Sequence, residues 1–276
     1  MIYQISTGSG DGGKVSSTVA AGIDCLDLII EYAQGNSPII FYEKQISCGR
    51  ENIPDPGSVI LMCIEVLTRV SGKHALFQMD SWHVAQSLRV PAALFQEIRQ
   101  VSISEAPVPS NSAMFSDDQN SDTVASQNSI AVDRQFSINL FAACCRLLYT
   151  VLKHHKSESE RCIALLEESV RVLLHCLETV DTDWVVRKGY FSWKVQEGVK
   201  CACFLRRIYE ELRQQKDVFG QHSFKFLSNY IWIYSGCGPL KSGIKREIDE
   251  ALKPGVYALI DACSADDLQY LHTVFG

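Results

Sequence analysis

Residues 138–177 read INLFAACCRLLYTVLKHHKSESERCIALLEESVRVLLHCL, and their rhythm decides the fold class. Ile138, Phe141, Cys145, Leu148 and Leu152 fall at steps of 3, 4, 3 and 4, and Ile163, Leu166, Val170, Leu173 and Leu177 repeat those steps. That spacing lines five apolar side chains along one stripe of each of two helices. The polar stretch His154-His155-Lys156-Ser157-Glu158-Ser159-Glu160 between them is short, so the two helices are expected to fold back as an αα-hairpin. Such a hairpin cannot offset the entropy of ordering its own residues and needs neighbours on its other faces, as stacked helical repeats do. The expected fold is all-α, an irregular α-solenoid of stacked helical hairpins in the HEAT/armadillo manner, with no fixed repeat length.

Bulk properties narrow the function. With 276 residues and 46% hydrophobic content, the chain can build one large domain or two small ones. A net charge of −6 argues against a chain built mainly to grip phosphate backbones. No run of roughly 18 consecutive apolar residues is present, so no membrane partner is expected. Met1-Ile2-Tyr3-Gln4 lacks a basic region ahead of an apolar one, so no secretory signal is expected there. The eleven cysteines fall mostly inside apolar helical patterns and read as small core residues in a reducing compartment.

Punctuation divides the chain. Residues 1–100 read as an N-terminal helical part with a Gly-rich start. Helices are expected over Ser16–Gln34, from Pro56 (capped by Asp55) to about Ser71, over Asp80–Leu88 and over Pro91–Gln100. Each proline is taken as a first helical residue, where its missing N–H costs nothing. Residues 101–132 read as an acidic, Ser-rich disordered linker or loop: Ser102 to Ser129 hold eight serines, four acidic residues and no Lys or Arg. Residues 133–276 form the C-terminal helical domain. After the hairpin, whose second helix is offered a capping box by Ser157 and Glu160, helices are expected over Ser192–Gln215, Phe224–Tyr234, Ile244–Leu252, Pro254–Cys263 and Ser264–Phe275. Tyr230–Tyr234 alone fits a strand equally well. Ser264 and Asp267 make another capping box. Leu268, Leu271 and Phe275 still lack partners where the sequence stops, so the chain reads as a fragment of a longer one.

Chemical motifs are sparse. Gly8-Ser9-Gly10-Asp11-Gly12-Gly13-Lys14 fits the phosphate-cradling G-x-x-x-x-G-K pattern, but Val15 stands where Ser or Thr must hold magnesium. A nucleotide-binding protein using Gly8 to Lys14 is the alternative function from another class. His154, His155 and Cys162 could meet at a metal, but two solvated histidines and a core cysteine explain them better. No nucleophile elbow, zinc-protease helix or dinucleotide fingerprint occurs, so no enzyme activity and no cofactor are expected. Arg187 to Lys216 carries eight basic residues against three acidic ones, a net +5. Within it Lys194, Lys200, Arg206, Arg207 and Arg213 are the candidate RNA contacts. At about 100° per residue their charges wrap around the helix, which suits a solvated face better than a binding stripe.

Ser58-Val59-Ile60-Leu61-Met62-Cys63-Ile64-Glu65-Val66-Leu67, the turn Lys153-His154-His155-Lys156-Ser157-Glu158, and Pro254-Gly255-Val256-Tyr257-Ala258-Leu259-Ile260-Asp261-Ala262-Cys263 together carry a resemblance. From about Pro56 to Gly276, and most clearly from Phe136, the chain resembles the C-terminal region of the unhealthy-ribosome-biogenesis protein 2 family, the nucleolar pre-ribosomal-associated scaffolds. The resemblance implies a large non-enzymatic helical protein of the nucleus and nucleolus. It would act in early large-subunit biogenesis and pre-rRNA processing, with another large helical scaffold, a DEAD-box RNA helicase and small assembly factors. The candidate RNA is pre-rRNA. The family has no catalytic residues to carry over, and its members continue past the end of this chain. This sequence lacks a polybasic import signal. Candidate partner contacts are Tyr257 and Leu271, near the end of the stack. A cytosolic helical-repeat adaptor unrelated to ribosomes is the other alternative.

Overall fold

The computed structural model of the chain describes residues 56–77, 79–104, 134–178, 193–238 and 240–275. Among them every regular element is an α-helix. In chain order these are α1 (Pro56–Gly72), α2 (Ser81–Ser104), α3 (Arg134–His154), α4 (Lys156–Arg161), α5 (Ile163–Glu178), α6 (Val195–Gln214), α7 (Lys216–Tyr234), α8 (Arg246–Ala262) and α9 (Ala265–Phe275). The all-α expectation holds, and Tyr230–Tyr234 is the end of α7 with no strand character. The Gly8–Lys14 motif, the helix expected over Ser16–Gln34, Asp55 and most of the Ser-rich stretch lie outside the described residues.

The apolar stripes lie where their rhythm puts them. Phe141, Cys145, Leu148 and Leu152 of α3 are buried, as are Leu166, Val170, Leu173 and Leu177 of α5. Ile138 and Ile163, which lead the two stripes, are half-buried against the same core. α3 also buries Leu140, Ala143, Cys144, Leu147 and Val151, and it packs on α1, α2 and α6. Over Gln135–His154 it is long and apolar enough to cross a bilayer, but here that surface is spent in the core.

The two striped helices do not lean chiefly on each other. α5 packs on α2 and α7, and α3 on α1, α6 and α2. α6 touches α3, α5, α7 and, most extensively, α8. The largest contacts thus join α1 to α3, α2 to α5 and α6 to α8, and each skips at least one intervening element. Burial gives the reason. α5 encloses Val172, Leu174 and Cys176 besides its stripe, so each arm of the expected hairpin has more apolar surface than the other can cover. Both α2 and α6 touch both arms instead.

Two prolines read differently in three dimensions. Both were expected to begin helices, yet Pro91 lies inside α2 and Pro254 inside α8. Pro91 offers no N–H to the Ser87 carbonyl, and its ring crowds that group. At the next rung the buried Ser169 of α5 enters the ladder: its hydroxyl donates to the Leu88 carbonyl at 2.5 Å and accepts the Ala92 N–H at 3.3 Å. A side chain inserted in this way keeps both backbone groups paired. The buried positions Val84, Leu88, Ala92 and Phe95 continue through the proline, as do Ile248, Leu252, Gly255, Leu259 and Ala262 through Pro254. Burial on both sides offsets the roughly 3 kcal/mol that an interior proline costs a helix.

Helix ends follow local chemistry with one exception. At the end of α7 the Gly236 N–H donates to the Ile233 carbonyl and the Cys237 N–H to the Trp232 carbonyl, a Schellman closure. Gly236 has φ of 73°, which glycine adopts without strain. The Ser264–Asp267 capping box forms, with the Asp267 N–H donating to Ser264 Oγ at 3.1 Å and the Ser264 N–H to Asp267 Oδ2 at 3.2 Å. The Ser157–Glu160 box does not form, because α4 starts two residues earlier, with His155 at its N-cap, and places Ser157 on its exposed side. His155 itself is buried, not solvated as expected. Its Nε2–H donates to the Ser71 carbonyl at 3.0 Å and closes the end of α1, where carbonyls lack partners within the helix.

Candidate interaction surface

The five basic candidates on and beside α6 divide by what surrounds them. Arg213 Nε lies 2.7 Å from Asp261 Oδ2 of α8, and that guanidinium holds the Asp261 carboxyl below its usual range. Arg206 Nε lies 3.1 Å from Glu210 Oε1. Its stem sits directly under Gly255, where an added Cβ would fall 2.9 Å from Arg206 Cγ and 3.1 Å from the Arg206 carbonyl oxygen. These two arginines therefore serve the joint between α6 and α8. Lys194, Lys200 and Arg207 are exposed. No ion pair among the described residues engages Lys200 or Arg207. These two are seven residues apart, about two turns, so they share one face with Gln196, Cys203 and Gln214. Lys194 falls on another side, and its N–H donates to Glu197 Oε2 at 2.8 Å.

The candidate partner contacts also divide. Tyr257 is 64% exposed on α8, whereas Leu271 is 5% exposed and turns into the core, where α9 meets α7. Leu271 fastens α9 and offers nothing to a partner. The exposed apolar residues of α9 are Tyr270, Val274 and Phe275, with Ile260 beside Tyr257 on the sequence of α8. Tyr270 and Val274 are four residues apart on the flank of Leu271, a pattern legible in the sequence once Leu271 is read as core.

Among the described residues no metal or thiol chemistry assembles. His155 is engaged with Ser71, and Cys162 Sγ with the Ser81 carbonyl at 3.6 Å. Among the described residues no group of His, Cys, Asp and Glu gathers to hold a metal ion. Burial raises the Cys144 and Cys145 thiols and pushes Cys201 up to about 12, so these remain protonated packing groups.

Two polar features escaped the sequence reading. Glu178, buried at the end of α5, accepts the Ser242 N–H at 3.2 Å, and its Oε2 lies 3.0 Å from His175 Nδ1. Gly238 is pressed against it, for an added Cβ there would come 2.8 Å from Glu178 Oε2. This carboxylate anchors the loop between α7 and α8. The second feature is a cleft of about 560 Å³ beside the α3–α4 turn, lined by His74, Phe77, Met79, Asp80, His154 and Glu158. The His74 and His154 rings stack at 4.7 Å with 19° between planes. Asp80 caps α2 by accepting the Trp82 N–H at 2.9 Å and the His83 N–H at 3.0 Å. Neither feature has a one-dimensional signal, since each gathers residues from separate helices.

No curated protein and no solved structure matches the chain. The family model that does match is that of the Urb2/Npa2 family, over residues 61–276, a span that runs from α1 to α9. The match extends over the helical framework just described and is confined to no cluster of reactive groups. The chain therefore belongs to the Urb2/Npa2 family, and membership implies a part in ribosome biogenesis in the nucleus.

Proposed function

We propose that this chain is a non-enzymatic nucleolar scaffold that acts in early large-subunit biogenesis and pre-rRNA processing. One observation carries the reading: the family match spans the helical framework, and the buried Ser169 and Glu178 within it serve to join its elements. Ser169 bridges α5 to α2, Glu178 ties α5 to the loop before α8, and Arg213 ties α6 to α8. Such a framework serves to present surfaces, here as part of a longer helical stack of α-solenoid type. The partners are proteins of the early pre-ribosome, among them another large helical scaffold and a DEAD-box RNA helicase. Tyr257, Tyr270 and Val274 supply exposed apolar contact for them, and Lys200 and Arg207 supply charge for pre-rRNA.

Co-purification tests the reading. A Tyr257→Asp, Tyr270→Asp double variant alters only exposed positions and should remain folded while losing pre-ribosomal proteins. Unchanged recovery would remove these helices from the partner surface. A diffuse cytosolic signal from the tagged parent protein would exclude the nucleolar role. Tight magnesium-dependent nucleotide binding abolished by Lys14→Ala would replace the scaffold with a nucleotide-binding function.

A further inference from the structure

We propose that the cleft beside the α3–α4 turn is a site for one unpaired guanine of single-stranded RNA, stacked against the His74–His154 pair and read by the Glu158 carboxylate. The inference takes its RNA from the role in ribosome assembly proposed above, but the chemistry of the site stands on its own geometry. Three segments build the cleft: the stretch after α1 supplies His74, Phe77 and Met79, the end of α3 supplies His154, and α4 supplies Glu158. Its volume of about 560 Å³ exceeds what a single protein side chain needs and suits a small planar ligand.

The stacked imidazoles form a π platform. His74 is exposed, so the stack ends on an open ring. Unpaired bases are held in this way on aromatic and histidine rings, with affinity largely independent of which base it is. Burial, and then the neighbouring His74 and Lys153, lower the His154 pKa and keep this ring uncharged near neutrality. Phe77 and Met79 add apolar wall.

Glu158 supplies the selectivity. It is half-buried, lines the cleft, and has no hydrogen-bond or ion-pair partner among the described residues. An ionised carboxylate only accepts hydrogen bonds, and its two oxygens suit two parallel donors. Guanine alone among the RNA bases presents two adjacent donor groups, N1–H and N2–H₂, on its pairing edge. The other carboxylate in the cleft, Asp80, is committed to the end of α2 and to His83. An arginine side chain would also satisfy Glu158. Lys73 and Lys153, the chain neighbours of the two stacked histidines, are exposed, and they would repel an arginine while attracting a phosphate backbone.

Fluorescence anisotropy with the full chain tests this, using labelled oligouridine RNAs that carry one central guanosine, adenosine or inosine. The guanosine RNA should bind about tenfold or more tighter than the adenosine RNA, with inosine between them. Glu158→Gln should erase the preference, and His74→Ala should weaken binding of all three by about fivefold or more. Both variants lie at the surface, and far-UV circular dichroism should show their helix content retained. Equal binding of the guanosine and adenosine RNAs overturns the proposal. So does binding unchanged by both substitutions in folded protein, or displacement of the RNA by an arginine-bearing peptide more readily than by guanosine monophosphate. Recovery of pre-rRNA with the tagged chain separates the two levels. Recovered pre-rRNA without guanine preference sinks the cleft alone, and loss of all pre-ribosomal components sinks the wider reading.

Discussion

Ser169→Ala is the sharpest probe of how this core is held together. The Ser169 hydroxyl is fully buried, 2.5 Å from the Leu88 carbonyl to which it donates and 3.3 Å from the Ala92 nitrogen whose N–H it accepts. Removing the oxygen leaves a carbonyl and an N–H inside the core. Each such orphan costs about 1–3 kcal/mol, so the ceiling is about 6 kcal/mol. Partial closure of Ala92 on Leu88, its natural partner one helical turn back, lowers this to about 2–3 kcal/mol, because the Pro91 ring resists full closure. Urea unfolding followed by far-UV circular dichroism gives the number. The decisive comparison repeats the substitution in a Pro91→Ala background, where the ladder can close by itself. There Ser169→Ala should cost about 1 kcal/mol or less, leaving a coupling energy of at least about 1 kcal/mol between α2 and α5. The same cost with and without Pro91, or a cost below about 0.5 kcal/mol in the native background, refutes the bridging role.

Three further outcomes follow from the geometry. Gly255→Ala should destabilise by about 1–3 kcal/mol, since the new Cβ meets Arg206 Cγ at 2.9 Å and backbone oxygen at 3.1 Å; an unchanged melting temperature would mean the helices can part there without cost. Glu178→Ala should cost about 1–3 kcal/mol, because the Ser242 N–H loses its acceptor; full stability in urea would show that the loop before α8 is held by other contacts. Burial lowers the pKa of His154 and His222 below the ordinary histidine value of about 6.5, so the unfolded chain takes up their protons first as pH falls. Stability should therefore hold above about pH 7 and decline as pH drops through the folded values, and His154→Gln with His222→Gln should flatten that decline in thermal melts. A melting temperature equal at about pH 7 and about pH 5 would contradict it.

Much of the fold was legible because burial and helical period coincide. The stripes of α3 and α5 are core, and the Ser264–Asp267 box forms as its spacing requires. The prolines misled for a specific reason. A proline is equally at home at a first helical residue and, at a cost, inside a helix whose two halves are both buried. The discriminating signal was present: the apolar steps continue without a break from Ile248 to Ala262 and from Val84 to Phe95. Leu271 is a candidate contact by its place near the end of the stack, yet it occupies the middle of the apolar arc of α9, the position most easily buried. Of the basic candidates, charge counting found all five, but it could not tell Arg213 and Arg206, which pair with Asp261 and Glu210, from Lys200 and Arg207.

By itself the sequence determined that this chain is helical, where most helices run and which side chains of each helix turn inward, because those properties depend on spacing of a few residues along one backbone. The tertiary structure alone decided which helices are neighbours, that α2 and α6 each touch both arms of the expected hairpin, and that His155, Ser169 and Glu178 become buried joints. It also decided that His74, His154 and Glu158 share a cleft. Those outcomes rest on contacts between residues far apart in the chain. Apolar stripes of similar width can pair in several orders, and the one adopted depends on how all of them fill space together.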